Sequence, residues 1–289
     1  MLSWLLAARP KTLTAAVIPV VLGVALAWSH SGRVLWLYAL LALAGALLIQ
    51  IGTNLINDAI DFEKGTDTGD RVGPKRVTAS GLIHARHVKM AAWACFGGAA
   101  LAGIPLIIRG GLPLLIIGLA SIAAGYVYTG GPYPLAYNGL GELFVLVFFG
   151  LVAVGGTYYL QVLSYGIPAG IAGLAAGSLA NVLLAVNNLR DAEGDARTGK
   201  RTLAVRLGRR FAAWEIAFFA ILPLLLGIYW WADEERLAAL LPLLLAPLAI
   251  AIVRSARRDR GGALNATLAR SAALQAGYGV LFTIGLIFA

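Results

Sequence analysis

Nine long apolar segments dominate the chain and restrict what it can fold into. They cover approximately residues 12–29, 34–56, 89–108, 112–129, 139–163, 167–189, 211–231, 236–253 and 268–288. Each is close to the roughly 20 mostly apolar residues that a helix needs to cross a bilayer. Only 13% of the residues are charged, whereas a soluble domain averages about 25%. The segments therefore predict an all-α membrane protein, with nine transmembrane helices forming one helical bundle over residues 1–289.

Basic residues lie almost entirely on one side of the predicted bundle. Of the 23 Lys and Arg residues, only Arg33, Arg109 and Arg236 fall in segments that nine crossings place opposite the N-terminus. By the positive-inside rule, the N-terminus and the charged loops 57–88 and 190–210 form a cytoplasmic cap, and the C-terminus lies outside the cell membrane. The net charge of +9 is then a topology signal and does not indicate a nucleic-acid partner.

Two acidic segments follow the second and sixth apolar segments, on the predicted cytoplasmic face. Residues three and four apart on a helix share a face. The sequence therefore predicts two stripes, each of one amide and two carboxylates: Asn54, Asp58 and Asp61, and Asn187, Asp191 and Asp195. Ionisable groups at the ends of apolar spans are expensive, which favours a functional role over a solvated surface with ion pairs.

Carboxylate stripes of this kind suit a magnesium diphosphate. Mg²⁺ prefers oxygen ligands and usually binds through one or two carboxylates together with phosphate oxygens. Cations that match phosphate oxygens accompany both stripes: Lys64, Arg71, Lys75 and Arg76, and Arg190, Arg197, Lys200 and Arg201. An ion-coupled transporter is the alternative from another class, although transporters more often place their acids near the bilayer midplane.

The two acidic segments resemble the paired signature regions of the UbiA-type intramembrane prenyltransferase superfamily. They read NDAIDFEKGTDTGDRVGPKRVTASGLI and NNLRDAEGDARTGKRTLAVRLG. The resemblance implies nine transmembrane helices and two Asp-rich motifs that bind the diphosphate of a polyprenyl donor through Mg²⁺. The first motif departs from the common form N-D-x-x-D-x-x-x-D, because Gly65 occupies the third acidic position and Asp67 follows two residues later.

Three further stretches are most similar to the menaquinone branch of that superfamily (MenA type). They are ARPKTLTAAVIPVVLG, the GTDT after the first acid pair, and YTGGPYPLAYNGLGELFV. The resemblance implies transfer of a polyprenyl group from polyprenyl diphosphate to 1,4-dihydroxy-2-naphthoate, with loss of CO₂ and diphosphate. Another aromatic acceptor, such as 4-hydroxybenzoate, a haem precursor or chlorophyllide, is the alternative within the same class.

The resemblance also implies roles for individual residues. The catalytic and metal-binding carboxylates would be Asp58, Asp61, Asp191 and Asp195, with Asp67 as a further metal ligand. Diphosphate would be bound, or its ligands oriented, by Asn54, Asn57, Arg71, Arg76, Asn188 and Lys200. The aromatic acceptor or the allylic cation would face Arg9, Lys11, Tyr126 and Tyr128.

Overall fold

The structure is a computed structural model that describes residues 2–66, 73 and 76–288, with only the backbone described at Lys11. Every regular element in these ranges is a helix. The α-helices are α1 (Leu2–Ala8), α2 (Thr14–Ser31), α3 (Trp36–Glu63), α4 (Ala85–Gly110), α5 (Leu112–Val127), α6 (Gly141–Val145), α7 (Ala153–Val162), α8 (Ile167–Arg197), α9 (Leu203–Leu225), α10 (Gly227–Ala232), α11 (Arg236–Leu240), α12 (Ala246–Arg258) and α13 (Leu264–Ile287). A π-helix (Leu146–Val152) joins α6 to α7, and 3₁₀ turns occupy Pro10–Thr12, Leu135–Tyr137, Leu241–Leu245 and Gly261–Ala263.

The all-α prediction is confirmed, and each predicted segment falls largely within a helix or within consecutive helices. In the described part of the chain, seven stretches are long and apolar enough to cross a bilayer: Thr14–Ser31, Trp36–Glu63, Ala85–Gly110, Gly141–Val162, Ile167–Arg197, Leu203–Ala232 and Arg236–Arg258. The helix α5 is apolar but has only 16 residues, and α13 is not among the seven. The chain is therefore a multi-pass membrane protein with at least these seven candidate spans.

Helix α8 lies at the centre of the bundle. In the most apolar stretch of α8, 72% of the residues are buried inside the protein, whereas in that of α4 only 17% are buried. Glycines allow α8 to contact the π-helix backbone to backbone: a Cβ added at Gly150 would lie 2.4 Å from the carbonyl oxygen of Gly173. One added at Gly177 would lie 2.7 Å from the carbonyl oxygen of Leu146. Such close approach, typical of helix pairs in lipid, fixes the π-helix against α8.

Helices α3 and α8 are longer than a bilayer crossing requires. They contain 28 and 31 residues, which at about 1.5 Å per residue gives lengths of roughly 42 and 46 Å. The hydrocarbon core of a membrane is only about 30 Å thick. The last turns of both helices, which carry the two acidic segments, can therefore project beyond the hydrocarbon region.

Candidate active site

A cavity of about 1330 Å³ lies between the final turns of α3 and α8 and extends into the bundle. Its polar end is formed on these two helices by Gln50, Asn54, Asn57, Asp61, Asn187, Asn188, Asp191 and Asp195. The rest of its wall is mostly apolar, and residues of α4, α5 and the π-helix form much of it. The cavity thus combines one charged end with a long apolar interior.

Most of the predicted site residues line this single cavity. They are Arg9, Asn54, Asn57, Asp61, Arg76, Tyr128, Asn188, Asp191, Asp195 and Lys200. Asp58 and Tyr126 do not line it, and Tyr126 instead stacks on Trp93 with ring centroids 5.5 Å apart. The predictions for Asp67 and Arg71, and for the side chain of Lys11, lie outside the described residues.

Asp61 is the centre of a charged network at the polar end. Its side chain is only 2% exposed and accepts hydrogen bonds from Arg76 Nη2 at 3.2 Å and Lys200 Nζ at 3.0 Å. The hydroxyl of Tyr137 donates a third bond, at 2.7 Å. Lys200 follows α8, so its contact with Asp61 joins the two acidic segments directly. Removing one partner of a buried ion pair is strongly destabilising. This network therefore stabilises the polar end of the cavity.

Tyr137 lies between two lysines. The Nζ atoms of Lys64 and Lys200 are 4.6 and 4.9 Å from the centre of its ring, which are cation–π distances. Lys64 Nζ also donates a hydrogen bond to the carbonyl oxygen of Thr129 at 2.8 Å. The ring of Tyr137 therefore lies between the ammonium groups of Lys64 and Lys200, while its hydroxyl orients the carboxylate of Asp61.

Asp191 is oriented by the neighbouring Arg190. The guanidinium forms a bidentate pair with the carboxylate, with Nε–Oδ1 and Nη2–Oδ2 distances of 2.8 and 2.7 Å. Arg190 also donates to Asn187 Oδ1 at 2.7 Å and to Asn265 Oδ1 on α13 at 3.0 Å. A bidentate fork supplies geometry as well as charge, so Asp191 is held in place by contacts that span α8 and α13.

Asp58 lies on another face of α3. Its carboxylate accepts hydrogen bonds from the backbone N–H groups of Val77 and Thr78, each at 3.1 Å, and from the Thr78 hydroxyl. Asp58 is 1% exposed. It therefore anchors the turn that follows Arg76, whose guanidinium reaches Asp61.

The predicted alignment of Asn54, Asp58 and Asp61 needs a correction. At about 3.6 residues per turn, positions i, i+3 and i+7 share a face as well as i, i+4 and i+7. The face toward the cavity carries Asn54, Asn57 and Asp61, because the turn after Arg76 packs on the side where Asp58 lies. The metal role of Asp58 stays a prediction.

Aromatic side chains of α6 and the π-helix line the cavity behind its polar end. Phe144, Phe148 and Phe149 all face it, and the rings of Phe144 and Phe148 stack with centroids 5.6 Å apart. The wider π-helical turn changes which residues share a face, so two consecutive phenylalanines, 148 and 149, both reach the wall. The apolar interior therefore begins with aromatic rings close to the charged groups.

Two residues of the site were missed by sequence reasoning. Tyr137 gave no usable signal, because its importance depends on contacts with Asp61 and Lys200 that are remote in sequence. Glu142 did give a sequence signal, because it is a lone acid at the start of an apolar segment, where ionisable groups tend to be functional. Its side chain is buried and lines the cavity.

The chain is similar to known membrane prenyltransferases in sequence and in fold. Residues 16–274 match the UbiA prenyltransferase family. The chain is 42% identical over 266 residues to 1,4-dihydroxy-2-naphthoate octaprenyltransferase of Mycobacterium tuberculosis, covering 90% of this chain and 87% of that protein. The protein of the same name from Escherichia coli is 44% identical over 213 residues, or 71% of this chain and 68% of that one. The structure of a UbiA homolog from Archaeoglobus fulgidus bound to DMAPP and Mg²⁺ has a TM-score of 0.62 and 17% identity, over 98% of this chain and 99% of that chain. At 17% identity, the similarity to the Archaeoglobus fulgidus structure shows the fold alone.

Proposed function

Because the chain belongs to the UbiA prenyltransferase family, we propose that it transfers a polyprenyl group from polyprenyl diphosphate to 1,4-dihydroxy-2-naphthoate. The direct products are the reduced (quinol) form of demethylmenaquinone, CO₂ and diphosphate, a step of menaquinone biosynthesis. The names of the Mycobacterium tuberculosis and Escherichia coli relatives support the acceptor. The observation that carries the proposal is the cavity, whose charged end and apolar interior match the two parts of such a donor.

The apolar interior suits the polyprenyl tail. Its wall includes Leu106 and Ile107 of α4 and Ile117 and Leu119 of α5. Burying a hydrocarbon tail there contributes about 0.8 kcal/mol per CH₂ group. The tail would extend into the bundle while the diphosphate stays at the charged end.

The donor set at the charged end fits Mg²⁺ that arrives with a diphosphate. In the described part of the chain, no three His, Cys, Asp or Glu side chains form a ready metal cluster. Mg²⁺ usually takes only one or two carboxylates and completes its shell with water and phosphate oxygens. Asp61 on α3 and Asp191 and Asp195 on α8 would hold Mg²⁺ ions, with one or two carboxylates to each ion, and the metal would stabilise the negative charge on the leaving group.

The contacts of Asp61 suggest how binding is coupled. Its carboxylate accepts bonds from Arg76 and Lys200, two cations suited to phosphate oxygens. When a diphosphate enters, both cations would turn to the phosphates, and the carboxylate of Asp61 would then be available to hold the metal. The exchange keeps every buried charge paired, which avoids the large cost of an unpaired one.

The chemistry then proceeds by ionisation and capture. The C–O bond of the allylic donor breaks, and its electron pair leaves with the diphosphate, whose charge Arg76 and Lys200 stabilise. The rings of Tyr128 and Phe144 line the cavity and would give the allylic carbon a cation-stabilising aromatic environment. The carbon of the naphthoate that bears the carboxylate forms the new C–C bond, and CO₂ is lost.

The proposal includes the topology. Nine crossings of the plasma membrane would place the N-terminus and the charged end of the cavity in the cytoplasm, and the C-terminus outside. The distribution of Lys and Arg supports this orientation. A soluble naphthoate and the water-soluble diphosphate would then exchange with the cytoplasm.

Turnover by the purified protein in nanodiscs tests the proposal. A polyprenyl diphosphate is offered with 1,4-dihydroxy-2-naphthoate or 4-hydroxybenzoate, each with and without Mg²⁺. We expect a Mg²⁺-dependent product with the naphthoate only. A product with the benzoate alone would contradict the acceptor, and a folded protein that prenylates neither would contradict the activity and direct attention to ion-coupled transport.

A pair of variants on α8 makes this test specific. Asp191→Asn should abolish turnover without unfolding the protein. Its matched control is Glu193→Gln, because Glu193 is an exposed acid two residues away that does not line the cavity. Equal losses in both variants would contradict the role of Asp191.

A further inference from the structure

We infer that Glu142 is a catalytic residue that contacts the aromatic acceptor, accepting the proton of a ring hydroxyl as the new C–C bond forms. The inference rests on the proposed function, since it concerns the acceptor half of the same reaction. It concerns a residue that neither the acidic motifs nor the charged network around Asp61 includes.

Glu142 is held at a defined place on the cavity wall. It lies in the first turn of α6, and the residue is only 5% exposed. Asn188 Nδ2 donates to Glu142 Oε1 at 2.8 Å, and Asn181 Nδ2 donates to the backbone carbonyl of Glu142 at 2.9 Å. Both amides belong to α8, so the carboxylate is fixed relative to the turn that carries Asp191.

The carboxylate retains capacity for a ligand. It offers about four lone-pair sites, and within the described part of the chain Asn188 is its only side-chain donor. No Lys or Arg of that part forms a salt bridge with Glu142. Burying an ion without a countercharge costs several kcal/mol. Because Glu142 lies on the wall of the cavity, its remaining acceptor capacity is available to a ligand.

The Tyr128 hydroxyl shows that Glu142 faces the same space as the diphosphate ligands. A Cβ added at Gly141 would lie 3.2 Å from Tyr128 Oη, so this hydroxyl packs beside the residue that precedes Glu142. Tyr128, Glu142, Asp61, Asp195 and Arg9 all line the same cavity. The reacting carbon of the donor, attached to a diphosphate at Asp61 and Asp195, would thus lie near Glu142.

Arg9 and Glu142 are chemically complementary to a hydroxylated aromatic acid. Arg9 lines the cavity from a left-handed backbone conformation, with φ of 52°, which is uncommon for a residue other than glycine. A strained backbone position at a site often serves placement of the side chain. The acceptor carboxylate would pair with Arg9 while its neighbouring hydroxyl donates to Glu142, which orients the ring between them.

The proton transfer balances without any further reactant. Diphosphate first leaves with the electrons of the C–O bond; the ring electrons then form the new C–C bond to the allylic cation, and the hydroxyl oxygen gives its proton to Glu142. The resulting ketone lies next to the carboxylate, which leaves as CO₂, and its electrons return to the ring as an enolate. Protonated Glu142 then returns the proton to the ring oxygen, so the carboxylate is regenerated, as general acid–base catalysis requires.

Two substitutions of Glu142 test the inference. Glu142→Gln keeps the size of the side chain and an oxygen for Asn188 but removes the base, and kcat should fall by about 10²–10⁴-fold. The donor should still ionise, so water captures more of the cation and the ratio of diphosphate released to prenylated product rises. In Glu142→Gly, added formate should restore part of the turnover, because a small carboxylate can occupy the vacated space.

Matched controls separate this inference from its rivals. Glu193→Gln removes an exposed carboxylate outside the cavity wall and should leave kcat nearly unchanged. Near-normal kcat in Glu142→Gln, or parallel loss of diphosphate release and product with no formate rescue, would overturn the inference. Failure of the proposed function itself is distinguishable, because the wild-type protein would then make no product from the naphthoate.

Discussion

Replacing Asp58 with asparagine separates two roles for this carboxylate, holding a turn or holding a metal. In the structure Asp58 Oδ1 accepts the N–H and the hydroxyl of Thr78, and Oδ2 accepts the N–H of Val77. Asparagine can keep an oxygen in the Oδ1 position only by turning its NH₂ group toward Val77. The N–H of Val77 then faces another donor inside the protein, where Val77 has no exposed surface.

The cost follows from that one broken contact. A buried donor left without a partner costs about 1–3 kcal/mol, and hydrogen bonds to a charged group are at the upper end of the usual range. We therefore expect Asp58→Asn to lose about 2–3 kcal/mol of unfolding free energy. Arg76, which precedes this turn, would lose part of its fixed position beside Asp61, so turnover should also fall.

The assay measures stability and metal dependence in the same variants. Asp58→Asn should lower the midpoint of thermal unfolding but leave the Mg²⁺ concentration for half-maximal turnover nearly unchanged. Asp61→Asn should raise that Mg²⁺ concentration strongly. Thr78→Val, which removes only the hydroxyl donor, should reproduce the Asp58 phenotype in weaker form.

One result would refute the reasoning. If Asp58→Asn raised the half-maximal Mg²⁺ concentration as much as Asp61→Asn, without loss of stability, Asp58 would be a metal ligand as the family resemblance implies. The carboxylate would then have to leave Val77 and Thr78 when the diphosphate binds.

Three other predictions follow from contacts described above. Tyr137→Phe keeps the ring between the lysines but removes the 2.7 Å bond to Asp61, so kcat should fall by about tenfold, the equivalent of about 1.4 kcal/mol. Its KM for the naphthoate should change little, and an unchanged kcat would contradict the role. Gly150→Ala should unfold or strongly destabilise the protein in a detergent melt, since its Cβ would overlap the backbone of Gly173, whereas Gly97→Ala, which meets no atom within 4 Å, should not. Chelating Mg²⁺ should abolish turnover reversibly, and calorimetry should detect Mg²⁺ binding only with diphosphate present. Tight binding of Mg²⁺ alone would contradict a site in which phosphate oxygens complete the metal's ligands.

The sequence alone predicts the helices well and the cavity partly. Length and hydropathy predict the apolar helices, because a bilayer leaves few other ways to satisfy the backbone. The periodicity of α8 places Asp191 and Asp195 toward the cavity, as the structure does. These features are local in the chain, which is why pattern reasoning reaches them.

The remaining features depend on contacts between distant residues. Helix periodicity allows either Asn57 or Asp58 in the stripe of α3, and only the packing of the turn after Arg76 decides between them. The bonds that join Asp61 to Tyr137 and Lys200 connect segments far apart in sequence. The π-helix depends on backbone contact between Gly150 and Gly173, which the apolar pattern does not encode.

The glycine contact between α8 and the π-helix makes the two sides of the cavity unequal. Gly150, Gly173 and Gly177 leave no space for even a methyl group, so that side is a fixed template. On the opposite side, Gly45, Gly103 and Gly118 line the cavity, and a Cβ added at any of them meets no atom within 4 Å. Side chains can therefore be lengthened on α3, α4 and α5 one carbon at a time. Substitutions at these three glycines, natural or engineered, can shorten the space for the prenyl tail without changing the charged end of the cavity or α8.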